Sequence, residues 1–496
     1  MLEELKKLLK HTTIYGAGNV LGKVVGFFMI PFYTHYLTPA DYGTLELLDL
    51  SLTLTALVLT MWLNASIVRH FNDFESTKDR DEAVSTILIF ASFIGVVVGG
   101  GGIWLSHPLS ALILNTPDLH FFVSLEALAF VVSSVNVVCS SYLRARQRSG
   151  LVVGTGLLGL VLSLSLNIYF IAIRHSGVVG VLYSSLISSM LVTAGLAVYT
   201  IKQVKLSFSF AKLRGIVAFG APLIITSAAA FTVNFSDRFF LRHFATISTV
   251  GIYALGYKFG FMLSLLVVQP FDMIWQARIY EIAKRNRSGD IFSRVFEYYC
   301  FVLVTAALGL SIVIKELLSV ISAPSFHSAY KVVPIVALAY IFQGMNRFFL
   351  AGTYIAKKTI HLGAVGLVSA GANIGLNLLL IPRYGMLGAA WATAASFFLM
   401  SALALLVSQR VYRIPYVFSR VAALIGLATL VYFASCLVSL PSFALQVSLK
   451  LACLAAFPLV LHLLGFFDEN EVEKSKAFAR KFLSRYRLRV VTEPGR

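Results

Sequence analysis

YLRARQRSGLVVGTGLLGLVLSLSLNIYFIAIRHSGVVGVLYSSLISS, residues 142–189, and YIAKKTIHLGAVGLVSAGANIGLNLLLIPRYGMLGAAWATAAS, residues 354–396, share one design. In each, an apolar run of about 20 residues ends in a short polar break with a glycine, and a second apolar run follows. About 20 helical residues cross the ~30 Å hydrocarbon core of a bilayer, so each stretch reads as a pair of transmembrane helices. Laid together, Tyr142 meets Tyr354, Leu166-Asn167 meets Leu376-Asn377, and Gly177-x-x-Gly180 meets Gly385-x-x-Gly388, at offsets of 212, 210 and 208. Earlier segments correspond too: Tyr15-Gly16-Ala17 with Phe219-Gly220-Ala221, and Gly43 with Gly251. The chain therefore carries an internal repeat.

Working outward, further apolar runs fall near 12–36, 44–68, 83–105, 119–143, 151–173 and 178–200 in the first half. A second series covers 216–241, 250–273, 295–320, 332–356, 361–382 and 386–409, and two more runs lie at 415–439 and 444–465. This predicts an all-α polytopic membrane protein of about fourteen transmembrane helices. Composition agrees: 58% of the 496 residues are apolar and 13% charged, with a mean hydropathy of +0.82, whereas soluble domains carry about a quarter charged residues.

The formal charge of +18 does not indicate a nucleic-acid groove, because the basic residues are spread over loops between apolar runs. Thirty-one of the 41 Lys and Arg fall on alternate loops and the tail, five on the opposite loops, and five inside spans. The positive-inside rule then places both termini in the cytoplasm, and the alternation requires an even span count. MLEELKKLLKH, residues 1–11, reads as an interfacial lead into the first span, with no cleavage-site pattern after it. In the tail, Phe478, Phe482 and Tyr486 recur among Lys476, Arg480, Lys481, Arg485 and Arg487, the pattern of a basic amphipathic helix lying on anionic lipid; a partner-binding helix is the alternative. Cys139, Cys300, Cys436 and Cys453 are far apart and inside apolar segments, which points to buried cysteine rather than a disulfide framework or a metal site.

Each repeat holds six spans, so both copies enter the membrane in the same orientation, as in transporters that rock two halves around a central site. The expected division is 1–210 for an N-lobe (spans 1–6), 211–412 for a C-lobe (spans 7–12), 413–467 for two accessory spans and 468–496 for the tail. No HExxH, Walker loop or GxSxG is present, and no carboxylate pair stands in a hydrolase context.

Several segments are similar to a known family. YGAGNVLGKVVGFFMIPFYTHYLTPADYGTLELL (15–48), NFSDRFFLRHF (234–244), VGIYALGYKFG (250–260) and NLLLIPRYGMLGAAWATAAS (377–396) resemble polysaccharide-biosynthesis flippases. These form the Wzx-type, O-antigen or lipid-linked oligosaccharide branch of the multidrug/oligosaccharidyl-lipid/polysaccharide exporter superfamily. The likeness covers most of 10–410. It implies two six-helix lobes around a central cavity, plus two C-terminal helices. It also implies translocation of an undecaprenyl-diphosphate-linked oligosaccharide across the bacterial inner membrane by alternating access, for surface glycans such as lipopolysaccharide. Partners would be the lipid-linked substrate, membrane lipids and polysaccharide polymerase machinery; a monomer is expected, and no nucleic acid. A cation-coupled multidrug exporter of the same fold and a lipid II flippase are the alternatives, and a membrane enzyme acting on lipid-linked sugars is disfavoured by the short outward loops.

Charged groups inside spans are expensive unless paired or functional, so they are the first candidates for a polar pathway. Lys23, Lys258, Arg347 and Arg238 are candidate cavity cations for a diphosphate, Arg bidentately. Internal pairing is the competing reading, above all for Asp237 with Arg238. Asn64, Asp237, Asp272 and Asn377 are candidates for cavity hydrogen bonding or coupling, and Glu126 is a further coupling candidate; interhelical hydrogen bonding is the alternative for the asparagines. Lys450 is expected to snorkel toward an interface. No cofactor is expected, and Na+ or H+ coupling is left open.

Overall fold

The computed structural model describes residues 22, 25–358, 360–438 and 440–467. Among these there is no strand. Helix α1 covers 25–36. It is followed by α2 (Pro39–Phe71), α3 (Thr77–Trp104), the short α4 (Ser106–Leu114), α5 (Pro117–Ala145), α6 (Ser149–Ile173) and α7 (Gly177–Val204). The second half continues with α8 (Phe210–Phe235), the short α9 (Asp237–Phe244), α10 (Ile247–Ala283), α11 (Ser288–Ile321), α12 (Val333–Ile355) and α13 (His361–Val411). Two last helices are α14 (Phe418–Leu437) and α15 (Phe443–Leu463).

Twelve of these helices are long and apolar enough to cross a membrane. Helix α13, 51 residues long, is twice the required length and contains Pro382 and a non-helical Gly385, so it comprises two of the expected spans, 361–382 and 386–409. Most of the expected first span, 12–36, and the whole amphipathic tail, 468–496, lie outside the described residues. The exterior is apolar: Trp104 is 82% exposed and Leu437 86%, a surface that lipid solvates and water would not.

The repeat is written into backbone detail. Thr38 caps α2, its Oγ1 accepting from the Asp41 N–H at 3.2 Å while Asp41 Oδ2 accepts from the Thr38 N–H at 3.0 Å, a capping box reinforced by Pro39 at the first helical position. At an offset of 208, Thr246 Oγ1 accepts from the Thr249 N–H at 3.3 Å at the start of α10. Each of these helices then carries one widened π turn, at Leu57–Met61 and Ser264–Val268. Gly177 and Gly385 both have φ of +55°, the left-handed conformation glycine adopts without strain.

Helices α5 and α12 end alike. The Gln147 and Arg148 N–H groups donate back to Arg144 and Leu143, both at 2.9 Å, and those of Lys357 and Lys358 to Tyr354 and Thr353, both at 3.1 Å. These are Schellman turns, with Gln147 and Lys357 in left-handed conformation. They set the register at 210, so Tyr142 corresponds to Gly352; the sequence alignment with Tyr354 was two residues out because it matched side chains rather than helix ends.

Contacts divide the chain into two compact units, Met1–Met262 with Leu317–Tyr412, and Leu263–Glu316 with Arg413–Arg496. In the first, Trp62, Leu63 and Ile67 of α2 pack with Ile87, Leu88 and Ala91 of α3, Val138, Cys139 and Leu143 of α5, Leu196 of α7 and Ile216 of α8. In the second, Glu297 accepts from Arg294 at 2.7 Å and Arg420 at 3.0 Å. Lys450, expected to snorkel, is instead buried, its Nζ 2.7 Å from both carboxylate oxygens of Glu316. A buried ammonium is tolerated only with such a partner, and the acid lies 134 residues away in sequence.

Candidate functional site

The chemistry-bearing residues of the first unit gather where the first third of α2 meets α9 and α10. Tyr42, Glu46 and Asp49 stand at i, i+4 and i+7 on α2, one helical face. Facing them are Asp237 and Arg238 on α9, and Tyr253, Tyr257 and Lys258 on α10.

Close approach of the two long helices makes the meeting possible. A Cβ on Gly43 would overlap the Ile247 carbonyl oxygen and lie 2.9 Å from the Gly251 nitrogen. One on Gly251 would overlap the Pro39 carbonyl and lie 2.8 Å from the Gly43 nitrogen. Backbone therefore rests on backbone at the repeat-related glycines, as at small-residue crossings in membranes.

Arg238 is 1% exposed. Its Nη1 donates to Asp237 Oδ1 at 2.7 Å and to the Asn234 carbonyl at 2.8 Å, its Nε lies 3.7 Å from Glu46 Oε1, and its guanidinium sits 3.8 Å from the Tyr257 ring centroid. Asp237 Oδ2 accepts from the Tyr253 hydroxyl and, at 3.2 Å, from Thr393 Oγ1. The Tyr340 hydroxyl donates to that of Tyr257 at 2.9 Å. Asp237 and Arg238 thus neutralise each other inside a closed polar core, the pairing alternative raised by the sequence.

Lys258 differs. Its side chain is 48% exposed, although it lies eleven residues into α10, about 16 Å from the helix start. Nζ donates to the Tyr42 hydroxyl at 2.9 Å and lies 3.4 Å from Glu46 Oε2. An ammonium at this depth, open on one side, is costly against bare hydrocarbon, which makes Lys258 a candidate for a polar pathway. Asp49 is exposed beside it and interacts electrostatically with Lys258, Glu46 and Glu126 of α5.

The other candidates are placed as follows. Asn64 accepts from Ser141 Oγ at 2.8 Å, tying α2 to α5. Asn377 is fully buried and donates to Asn373 Oδ1 at 2.9 Å; that oxygen also accepts from Ser236 at 3.0 Å. Both asparagines thus make interhelical or intrahelical bonds within the protein. Arg347 is half-buried in the last turn of Val333–Phe349. Asp272 belongs to the second unit and accepts from Gln276 at 3.0 Å. Lys23 lies outside the described residues. Among the described residues no group of three or more His, Cys, Asp or Glu is arranged to hold a metal ion.

Sequence reasoning did not single out Tyr42, Glu46, Asp49 or Tyr257 as site residues. The spacing 42, 46, 49 was the available signal, but apolar surroundings and aromatic residues at helical spacing are the ordinary composition of any span.

The family described as "Polysaccharide biosynthesis protein" matches residues 34–331. The curated relatives include Lsg locus putative protein 1 of Haemophilus influenzae, 22% identical over 57% of this chain and 68% of that protein. An uncharacterized membrane protein of Methanocaldococcus jannaschii is 23% identical over 40% of this chain and 39% of that one. Among solved structures, the lipid II flippase MurJ in an inward closed conformation superposes with a TM-score of 0.75 at 12% identity, covering 92% of this chain and 99% of that one. An inward-facing multidrug resistance MATE family transporter of the MOP superfamily gives 0.62 at 15% identity, covering 80% and 94%. These likenesses establish the fold. The matched region 34–331 is more than half of the chain and contains α2, α9 and α10 with their polar cluster, and the protein belongs to the polysaccharide biosynthesis protein family.

Proposed function

We propose that this protein is a flippase that carries an undecaprenyl-diphosphate-linked oligosaccharide from the cytoplasmic to the outer leaflet of a bacterial inner membrane, for surface polysaccharide such as O-antigen. The supporting observation is the half-open Lys258 ammonium, deep in a span of a duplicated transporter fold that belongs to a polysaccharide biosynthesis family. A diphosphate entering a polar pathway there meets this cation first, while Arg238 is closed off behind its carboxylate. Lys23 and Arg347 are further proposed cation contacts. Both termini face the cytoplasm, as the loop charges favour. The membrane potential drives the anion outward by about 2.3 kcal/mol per charge per 100 mV. The carrier acts as a monomer, with two six-span lobes alternating in access, and hands its cargo to polymerase machinery.

One observation favours a second reading. Glu46, Asp49 and Glu126 outnumber Lys258 in this cluster, which suits a cationic drug, or an H+ or Na+ exchanged against the lipid. A lipid II flippase is the third alternative and differs only in the sugar carried.

The test is deletion in the native host, with lipid-linked oligosaccharide measured leaflet by leaflet. The flippase reading expects complete precursor held on the cytoplasmic face and loss of surface glycan. Normal glycan with new sensitivity to cationic drugs would establish the exporter instead, and arrest of peptidoglycan precursor would identify lipid II.

A further inference from the structure

Glu46 stands between two cations of the second repeat, 3.7 Å from Arg238 Nε and 3.4 Å from Lys258 Nζ. The two are not equivalent. Arg238 is 1% exposed and already holds Asp237 at 2.7 Å; it has nowhere to go. Lys258 is half exposed and also donates to the Tyr42 hydroxyl, one residue from the Gly43–Gly251 crossing. Tyr42, Gly43 and Glu46 form a single helical turn of α2, and every one of them touches α9 or α10.

We infer that this turn is a fastening between the two repeats, and that a phosphate-bearing headgroup opens it by taking Lys258 away from Glu46. The inference rests on the flippase reading and adds to it a defined competition between a carboxylate and the cargo. When the fastening is closed, Asp237 is held by Arg238 and Glu46 lies near both Arg238 and Lys258, with Asp49 a further carboxylate that Lys258 feels. A diphosphate is the stronger ligand for an ammonium because it offers more charge and more acceptor oxygens. Once Lys258 turns to it, Glu46 keeps Arg238 alone, and Tyr42 loses its hydrogen bond. The glycine crossing, where backbone rests on backbone, remains beside the lost polar contacts. Their loss favours separation of the two helices.

The competition has opposite signatures at its two ends. Removing Glu46 frees Lys258 for the ligand and unfastens the helices. Removing Lys258 also unfastens them but destroys the ligand's contact. A merely structural pair would weaken both properties together.

The experiment uses full-length protein in lipid nanodiscs, in a background lacking the four native cysteines, with spin labels at Ala40→Cys and Ser248→Cys, and geranylgeranyl diphosphate as the probe. The parent should show a short distance that gains a long component on adding the probe. Glu46→Gln should show the long component without probe and bind the diphosphate about tenfold more tightly, Lys258 having lost its internal competitor. Glu46→Asp should restore the closed distance. Lys258→Gln should open without probe and bind the diphosphate more weakly than the parent. A Glu46→Gln protein that matches a diphosphate-binding parent in both distance and affinity overturns the inference. A parent that neither binds nor responds to the diphosphate, while Glu46→Gln still opens, overturns the anionic-cargo reading on which the release step depends.

Discussion

The two basic residues of the cluster differ in what surrounds them, and their substitutions should separate accordingly. Replacing Arg238 by Met leaves Asp237, 1% exposed, without its countercharge. Breaking a buried pair from one side costs about 3–5 kcal/mol, so Arg238→Met should lower the thermal midpoint and the amount of folded protein in the membrane. Lys258→Met removes a side chain that is half exposed and whose partner Glu46 retains Arg238. It should leave the thermal midpoint near that of the parent while abolishing glycan display. Thermal unfolding in detergent beside a surface-glycan blot reads both, and equal destabilisation by the two changes would refute the division of roles. The residue types were legible in the sequence, since charges inside apolar runs stand out. Their division was not, because pairing depends on which helix faces which, and Glu46 lies 192 residues from Arg238 and 212 from Lys258.

At the scale of elements, α2 and α10 carry the same cap, the same glycine and the same π turn. The crossing glycines should therefore be intolerant in a way that other glycines are not. Gly43→Ala or Gly251→Ala pushes a methyl into backbone of the opposite helix, an overpacking cost of about 1–3 kcal/mol. Gly154→Ala meets nothing within 4 Å and removes glycine from a helix interior, so it should be neutral or up to about 1 kcal/mol stabilising. Unfolding midpoints of the three variants check the contrast; equal behaviour would show that the crossing does not hold the helices. Gly385→Ala, at φ +55°, should destabilise by about 1 kcal/mol through backbone strain alone. The repeat itself was legible because helix ends and turns use few residue types. Its register was misread by two at α5 and α12, where the shared feature is a hydrogen-bonding pattern that Gln147 and Lys357 satisfy without any glycine to mark it.

For the whole molecule, the loop charges predict that tags on both termini are labelled only after the cells are permeabilised. Labelling of one tag alone in intact cells would overturn the even span count, and labelling of both would overturn the orientation. Lys450→Ala, by contrast, should weaken the second unit, because it removes the ammonium held 2.7 Å from Glu316 in a buried ion pair. Protease resistance of the fragment containing α14 and α15 measures this, and unchanged resistance would make the pair incidental. By itself the sequence determined the membrane as solvent, the helical class, the duplication and the family. Those properties follow from local regularities, run length, charge placement and turn chemistry, which act within tens of residues. The tertiary structure alone decided that Arg238 is closed off and Lys258 open, that Glu46 bridges them, and that Lys450 is held by Glu316. Those are relations between distant segments. In an apolar solvent a charged group's role depends less on its own chemistry than on whether packing supplies it with a partner.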